Sequence, residues 1–217
     1  MGVLLVFLMN TNAWGPCAWR WLHSLTFTPS TKSEEKYRTL LFQLLQFIFP
    51  CKYCRMSYSR FIKDNPTKTG ENRQKWLFDI HNLVNNKLDK PLGTFKDIRK
   101  RYQENLSVSG DSYFAEDLWY FLFCVVENYP TISPTLEKQA LYSYFFQVFP
   151  KIFSKTDFGK RIQKAFRETP ITAESLQGRE TLYDWLFELY QKVATSSEIR
   201  VVPLPTIKRT MKSIKAK

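Results

Sequence analysis

The chain has 217 residues, enough for one large domain or two small ones, and its 44% hydrophobic and 24% charged content is typical of a folded protein. Seven glycines argue against an all-β chain built on tight turns and against a glycine-rich nucleotide loop, and no apolar run approaches the roughly 20 residues that cross a bilayer. The net charge of +12 lies in two blocks, before Ser107 and after Ser196. Nucleic acid, an anionic cofactor or an acidic partner would each match such charge, so charge alone does not decide between them.

Helical periodicity dominates the first half of the chain. The apolar Met1–Met9 segment lacks the basic leader and small-residue cleavage site of a secretory signal. Beyond it, the spacing of apolar residues predicts helices over Glu35–Phe49, from the Cys51–Cys54 motif to about Lys63, over Arg73–Leu88 and over Lys96–Leu106. Ser33 is the expected start signal of the first of these helices, and Asn65-Pro66 closes the second.

The second half of the chain shows the same periodicity. It predicts helices over Phe114–Asn128, Thr135–Phe149, Asp157–Arg167 and Glu174–Ala194. Ser133 and Pro134 give the second of these an N-cap and a first-turn proline. No segment alternates as a strand does, so the predicted fold class is all-α. The Pro-, Ser- and Lys-rich residues after Ser196 have no periodicity and predict a disordered basic tail.

The two halves of the chain resemble each other in sequence. Leu41–Pro50 matches Leu141–Pro150, and Trp76–Asn85 matches Trp185–Ala194, in the same order and at a nearly constant offset. The second copy has lost the reactive and polar residues: Cys51 and Cys54 become Lys151 and Ser154, and His81, Asn82 and Asn85 become Tyr190, Gln191 and Ala194. The second copy keeps the helical scaffold and loses these groups. We therefore interpret the five residues of the first copy as functional rather than as packing residues.

Cys51 and Cys54 form a CxxC motif, the one close pair among the four cysteines. A structural zinc site needs four ligands, and there is no second close pair. A thioredoxin-like motif would follow a strand, whereas the preceding residues are predicted helical. The third interpretation is a redox disulfide that opens a helix, where the helix N-terminus, Lys52 and Arg55 favour a thiolate. The motif by itself leaves these interpretations open.

A polar strip on the Arg73–Leu88 helix indicates a ligand. His81 and Asn85 are four residues apart and Asn82 and Asn85 are three apart, so they share a face. Donors and acceptors beside an apolar face suit a planar ligand with many polar edges. At the helix end, Lys87 and Lys90 could neutralise phosphates.

Together, these features resemble the Erv/ALR family of FAD-linked sulfhydryl oxidases. The matching motifs are, in chain order, Trp14-Gly15-Pro16, Trp19-x-x-x-His23, Phe49-Pro50-Cys51-x-x-Cys54, Asn65-Pro66, Trp76, His81-Asn82-x-Val84-Asn85-x-x-Leu88, Lys90-Pro91 and Tyr102. The resemblance covers about Trp14–Leu106. It implies a compact four-helix bundle with a short fifth helix that binds FAD inside the bundle.

The resemblance also implies a role for each of these residues. Cys54 would lie against the isoalloxazine ring as the charge-transfer thiolate, and Cys51 would be the exposed cysteine that exchanges with substrate thiols. The implied cofactor-binding residues are Gly15, Trp19, His23, His81, Asn82, Val84, Asn85, Lys87, Leu88, Lys90 and Tyr102. The implied reaction turns protein thiols into disulfides and passes the electrons through FAD to O2, giving H2O2. No metal is implied.

The remaining cysteines differ from the family pattern. Many members carry a second, shuttle cysteine pair on a flexible tail, and the tail of this chain has no cysteine. We therefore expect substrate thiols to reach Cys51 directly. Cys124 lies in an apolar run and is expected to be buried and inert.

The predicted domains are a catalytic unit over residues 10–107, a degenerate repeat of the bundle over 108–195 and the tail over 196–217. Family members usually form homodimers, and the repeat is expected to take the partner's place as an intramolecular pseudo-dimer. Such duplicated arrangements occur among sulfhydryl oxidases of large DNA viruses, including the baculovirus type. We therefore expect a viral origin and a location in the host cytoplasm, the nucleus or the virion. The expected partners are thiol-containing proteins and molecular oxygen, not a membrane or nucleic acid.

Two other functions are weighed against the oxidase. A helical binding module with a structural zinc or disulfide at the CxxC would lack flavin and bind nucleic acid with strong salt dependence. An FAD-binding assembly scaffold would fail to turn over a small dithiol. The oxidase is favoured because the first copy keeps the whole polar set that the second copy lacks.

Overall fold

The computed structural model describes residues 10–109, 115–153, 156–195 and 201–214. Within these ranges the chain forms ten α-helices and no strand, so the all-α prediction is confirmed. The helices are α1 (Thr11–Phe27), α2 (Lys32–Ile48), α3 (Lys52–Asp64), α4 (Asn72–Lys87), α5 (Phe95–Ser109), α6 (Ala115–Glu127), α7 (Leu136–Val148), α8 (Asp157–Glu168), α9 (Arg179–Thr195) and α10 (Leu204–Ser213). None of these described helices is long and apolar enough to span a membrane.

Helix α2 begins earlier than its apolar pattern predicts. The Thr31 hydroxyl accepts a hydrogen bond from the Glu34 N–H, and the Glu34 carboxylate accepts one from the Thr31 N–H. This reciprocal capping box satisfies two backbone donors that a helix start otherwise leaves unpaired. It therefore overrides the expected start at Ser33, which lies inside the helix.

Helix α3 is tied to its neighbours by two hydrogen bonds. The Tyr58 hydroxyl, from α3, donates to the Phe42 carbonyl of α2 at 2.9 Å. The Trp76 indole N–H, from α4, donates to the Asn65 carbonyl at the end of α3 at 2.8 Å. Helices α1 to α4 pack into a bundle that α5 crosses, in contact with α1 and α4. This arrangement matches the four-helix bundle with a fifth helix that the sequence predicts.

The second half repeats one of these contacts. The Trp185 indole N–H donates to the Thr169 carbonyl at 3.2 Å, and that carbonyl precedes Pro170 as the Asn65 carbonyl precedes Pro66. Helix α6 of the second half packs against α1, and α7 packs against α2.

Two helix starts in the second half differ from the prediction. Helix α7 is capped by the Thr135 hydroxyl instead of Ser133, whose backbone adopts a φ of 46° outside the helix. Helix α9 begins at Arg179 instead of Glu174, because a short 3-10 turn and Gly178 precede it. A Cβ at Gly178 would lie 2.6 Å from the Thr131 carbonyl oxygen, so this close approach requires glycine.

The tail beyond residue 200 forms α10, so the prediction of a disordered tail is wrong for residues 201–214. The apolar side chains of Ile207 and Met211 lie four residues apart and are buried, and α10 packs against α6. Lys208 pairs with the Glu180 carboxylate at 2.6 Å, and the Asn10 N–H donates to the Ile214 carbonyl at 2.8 Å. An isolated ten-residue helix is marginal in water, so only the tertiary contact makes this segment helical.

Buried Arg38 links the two halves. Its guanidinium donates to the carbonyls of Leu25, Thr28 and Pro29 in the first half and of Ile152 in the second, at 2.7 to 3.3 Å. Burial lowers the pKa of Arg38 to about 10, which leaves it charged at neutral pH. The residue thus satisfies carbonyls that would otherwise be buried without a donor.

We predict that Arg38→Met lowers the free energy of unfolding by about 3 kcal/mol, because several buried carbonyls lose their donor while the side-chain volume is kept. Urea titration followed by circular dichroism measures this. Arg99→Met, at an exposed position of α5, is the control and should change stability by less than about 0.5 kcal/mol. Equal effects of the two substitutions would contradict the role given to Arg38.

Candidate functional site

A cavity of about 510 Å³ lies among α1, α3, α4 and α5. It brings together most of the residues that the sequence singles out. Those that line it are Gly15, Trp19 and His23 from α1, Cys51 and Cys54 at the start of α3, His81, Val84, Asn85, Lys87, Leu88 and Lys90 from α4 and the turn after it, and Tyr102 from α5. Residues 87 positions apart in sequence therefore share one wall, as expected of a single site.

Asn82 is the exception among the predicted site residues. It does not line the cavity, and its side-chain amide instead bonds to the backbone of Gly93, accepting from the N–H at 3.3 Å and donating to the carbonyl at 3.4 Å. Its position beside His81 turns it toward the loop between α4 and α5. The shared helix face predicted with Asn85 does not bring it into the cavity.

Flat side chains form the inner wall of the cavity. The Trp19 indole stacks on the His81 imidazole with ring centroids 3.9 Å apart and planes within 7°. His23 Nε2 and His81 Nδ1 lie 3.1 Å apart in a hydrogen bond, and the Tyr102 ring stacks on His23 at 5.4 Å. These contacts join the indole, the two imidazoles and the phenol into one aromatic cluster.

Both histidines are neutral at pH 7. Burial, followed by the proximity of His81, lowers the pKa of His23 to about 3, and burial, followed by Lys90, lowers the pKa of His81 to about 4. In a neutral pair one ring nitrogen donates and the other accepts, so the shared hydrogen bond couples the tautomer of His23 to that of His81. Buried His23 Nδ1 and buried Trp14 Nε1 have no hydrogen-bond partner among the described residues, and both residues line the cavity.

Exposed cationic side chains surround the same cavity. Lys87 and Lys90 are held by neutral partners: the Lys87 ammonium donates to the Ser57 hydroxyl, and the Lys90 ammonium donates to the Asn12 amide oxygen at 3.2 Å. Arg20 forms a two-pronged ion pair with Asp117 of α6, at 2.6 and 2.8 Å. Lysines with neutral partners keep their full charge for an anion, whereas the Arg20 charge is already balanced.

The CxxC lies at the N-terminus of α3. Pro50 follows the end of α2, and Cys51 is the N-cap of α3, with its sulfur accepting the Cys54 N–H at 3.2 Å. The Cys54 thiol and the backbone N–H groups of the first turn, together with the Arg55 charge, lower the pKa of Cys51 to about 6. The Cys51 sulfur and burial raise the pKa of Cys54. Both cysteines are free thiols in the structure.

This geometry corrects one expectation about the CxxC. Cys51 was expected to be exposed, but only 5% of its surface is accessible, because the N-cap position folds its side chain over the start of α3. The thiolate expected on Cys54 concerns its contact with the isoalloxazine ring and stays a prediction. In the dithiol itself, the negative charge is favoured on Cys51. The reason is that Cys51 accepts the helix N–H groups, while Cys54 is desolvated beside it.

The other two cysteines lie apart from this pair. Cys124 is fully buried, burial raises its pKa, and its sulfur lies 3.5 Å from the Met211 sulfur, as expected of an inert core residue. Burial and the nearby Asp117 raise the pKa of Cys17 to about 11. Among the described residues, no group of three or more His, Cys, Asp or Glu side chains could hold a metal ion.

Several lining residues were not singled out as site residues from the sequence. They are Thr11, Trp14, Pro16, Ala18, Arg20, Leu22, Phe49, Tyr53, Ser57, Tyr58, Ile98 and Arg101. Ser57 could have been predicted from the sequence, because it lies three residues after Cys54 on the same helix face. Arg20 was not, because its orientation depends on Asp117, which is distant in sequence.

Comparison with known proteins finds a family match in the first half of the chain. The model of the Erv1 / Alr family matches residues 16–103. An FAD-linked sulfhydryl oxidase of African swine fever virus (isolate Warthog/Namibia/Wart80/1980) is 32% identical over 99 residues, which are 43% of this chain and 82% of the relative. A probable FAD-linked sulfhydryl oxidase of Acanthamoeba polyphaga mimivirus is 25% identical over 123 residues, 52% of this chain and 83% of the relative. The mitochondrial FAD-linked sulfhydryl oxidase of Saccharomyces cerevisiae is 28% identical over 82 residues, 36% and 43% of the two chains. No solved structure matches.

We predict that the protein loses stability as the pH falls from 7 to 5. His23 and His81 are the only two histidines of the chain. Between their lowered pKa values and the ordinary value of about 6.5, only the unfolded state binds the protons, so acid favours unfolding. His23 alone should contribute a loss of about 2 kcal/mol over this interval.

Urea titrations at both pH values test this prediction, with His23→Gln as the variant. The difference between the two free energies of unfolding should shrink in His23→Gln, whatever its absolute stability. A difference as large as that of the unsubstituted chain would show that His23 is not the group that titrates.

Proposed function

The chain belongs to the Erv1/Alr family, and from this premise we propose that it is an FAD-linked sulfhydryl oxidase that introduces disulfide bonds into thiol-containing proteins. The observation that carries the proposal is that the CxxC cysteines line the same cavity as the aromatic and cationic residues. A CxxC with a favoured thiolate and an aromatic cavity with cationic side chains around it are the two parts that such a reaction needs, and here they adjoin.

The cavity fits a flavin dinucleotide. Its volume of about 510 Å³ lies in the range of cofactor sites. The flat wall of Trp19, His23, His81 and Tyr102 suits planar rings, and the unpartnered buried nitrogens of Trp14 and His23 suit their polar edges. When bound, FAD supplies the acceptor that takes an electron pair from a dithiol and passes it on to molecular oxygen.

We assign the holding of FAD to the residues around this cavity. Gly15, Trp19, Val84 and Leu88 would provide apolar contact, and the Asn85 amide a hydrogen bond. Lys87 and Lys90 would bind the phosphates as point charges. Asn82 would act indirectly, by fixing the backbone of Gly93 in the loop that follows α4.

The dithiol step follows from thiol–disulfide exchange. A substrate thiolate attacks the Cys51 sulfur of the oxidised pair, which breaks the Cys51–Cys54 bond and leaves Cys54 as a thiol after it takes up a proton. A second substrate thiolate attacks the substrate sulfur of the mixed disulfide and expels Cys51. The substrate gains one disulfide, and the CxxC gains one electron pair.

The low pKa of Cys51 favours the second of these two steps. A thiolate of low pKa leaves faster, so Cys51 is the better leaving group when the oxidised substrate departs. Cys54 favours the protonated form at that stage. Because Cys51 is buried, a neighbouring side chain must move before a substrate thiolate can reach its sulfur.

We further propose that residues 10–107 form the catalytic unit and residues 108–195 a degenerate copy that occupies the place of a second subunit. Three observations support this: the Trp185 hydrogen bond that repeats that of Trp76, the packing of α1 on α6, and the packing of α2 on α7. In a two-fold dimer, each surface likewise meets its own counterpart. The third unit, over residues 196–217, includes α10, which fastens the copy to the start of α1.

We propose molecular oxygen as the electron acceptor and H2O2 as its product. Two of the relatives are viral, which supports a viral origin and action on thiols in the host cytoplasm, the nucleus or the virion. The sequence repeat also supports an intramolecular pseudo-dimer over a homodimer as the functional unit.

The proposal predicts a yellow protein that consumes oxygen when given a small dithiol. Cys51→Ala and Cys54→Ala should each lower oxygen consumption by about a thousandfold or more, because neither can form the internal disulfide. Cys124→Ala is the matched control, since it removes a buried thiol outside the site.

Three outcomes are informative. Flavin absorbance with turnover that is lost only in the two CxxC variants supports the oxidase. A colourless protein, or one in which all three variants turn over equally, contradicts it. Flavin binding without turnover in the unsubstituted chain would instead identify a scaffold.

We also predict that Lys90→Ala weakens flavin binding by about tenfold, the equivalent of one charge-assisted hydrogen bond. Ultrafiltration of the protein at several flavin concentrations measures the dissociation constant. Lys63→Ala, at the exposed end of α3, is the control and should leave the constant unchanged. If both variants bind alike, Lys90 does not hold a phosphate.

A further inference from the structure

Arg55 lies next to the CxxC and contacts the second half of the chain. It follows Cys54 on α3, and its guanidinium donates to the Phe49 carbonyl on the turn that leads into Cys51. Its charge contributes to the low pKa of Cys51, and at Cys54 it partly opposes the rise in pKa that the Cys51 sulfur and burial cause. Arg55 is therefore the charged side chain that acts on the whole dithiol from its own helix.

Asn128, from the second half, contacts this turn and this arginine together. With the amide oriented to satisfy both neighbours, its nitrogen donates to the Pro50 carbonyl at 3.2 Å and its oxygen accepts from Arg55 Nη1 at 3.3 Å. The side chain is half-buried, directly after α6. One amide therefore bridges the residue before Cys51 and the residue after Cys54.

The other charged groups near the dithiol come from two helices. Lys87 of α4 acts on Cys54, and Lys138 of α7 lies close enough to Arg55 for the two positive charges to repel. The Tyr142 phenol of α7 also faces Arg55 and contacts the Asn128 amide. Burial raises the pKa of Tyr142 to about 12, so the phenol is neutral. Repulsion from Lys138 would push the guanidinium away, and the acceptor oxygen of Asn128 opposes that displacement.

We propose that Asn128 is a positioning residue for the dithiol: by holding the Arg55 guanidinium and the Pro50 carbonyl, the second half of the chain sets the thiolate character of Cys51. This assignment rests on the proposed function for its purpose, since a reactive Cys51 matters only in thiol exchange. Under this assignment, the second half of the chain, which has no CxxC, contributes to the reactivity of the CxxC in the first half.

The test is the pH dependence of Cys51 alkylation in the reduced protein. Iodoacetamide reacts with the thiolate, so the rate between about pH 5 and about pH 9 reports the titration of Cys51, and peptide mass spectrometry identifies the modified residue. In the unsubstituted chain the midpoint is expected near pH 6. Asn128→Ala should raise the midpoint by about half a unit, because the Arg55 guanidinium keeps the Phe49 carbonyl as its partner but loses the Asn128 oxygen that holds it against the repulsion from Lys138.

A double-substitution cycle separates this role from a general loss of packing. Arg55→Met should raise the midpoint at least as much as Asn128→Ala, and adding Asn128→Ala to Arg55→Met should produce no further shift. Lys151→Ala is the control for the interface, since it removes a cation–π contact between the halves at Tyr37, on the first turns of α2 and away from the CxxC. Its midpoint should equal that of the unsubstituted chain.

An unchanged midpoint in Asn128→Ala overturns the inference, and so does a shift of the same size in the Arg55→Met background or in Lys151→Ala. The measurement needs neither flavin nor turnover. A preparation without oxidase activity would therefore contradict the proposed function while the midpoints still decide the role of Asn128.

Discussion

The turn at Phe49-Pro50 is the constraint on which the rest of the site depends. Proline ends α2 and delivers Cys51 to the N-cap of α3, where a sulfur accepts backbone N–H groups that have no helical partner. One backbone arrangement thus places both cysteines on the cavity wall, lowers the pKa of Cys51 and raises that of Cys54. A CxxC in the middle of a helix would have none of these properties, because its N–H groups would already be paired.

The charges of the cavity are arranged by depth. Its buried interior is neutral, since burial of His23 and His81 costs less when neither ring is protonated. The cations Lys87 and Lys90 remain at exposed positions. A dinucleotide has the same division between flat, uncharged rings and charged phosphates. The cavity can therefore match the charge distribution of a dinucleotide without a buried ion pair. The same depression of the histidine pKa values makes the fold sensitive to acid.

Prediction from the sequence worked best where the signal is local. Helical periodicity and the CxxC spacing identified α2 to α5, four of the five helices of the first half, within a few residues, whereas α1 followed only from the family resemblance. The lost residues of the second copy pointed to the cavity. It failed where tertiary contact decides: α10 exists because Ile207 and Met211 pack on α6, and Cys51 is buried because its side chain caps α3. Asn82 has the spacing of a ligand contact, but the loop at Gly93 competes for its amide.

The central claim is that the CxxC and the cavity form one redox unit. Anaerobic titration of the purified protein with a small dithiol, followed by absorbance, tests it most directly. The account predicts that full reduction takes two electron pairs per chain, one for the disulfide and one for the flavin, and that the flavin of Cys54→Ala is bleached far more slowly. Bleaching at the same rate in that variant, or uptake of a single electron pair without any flavin band, would contradict it.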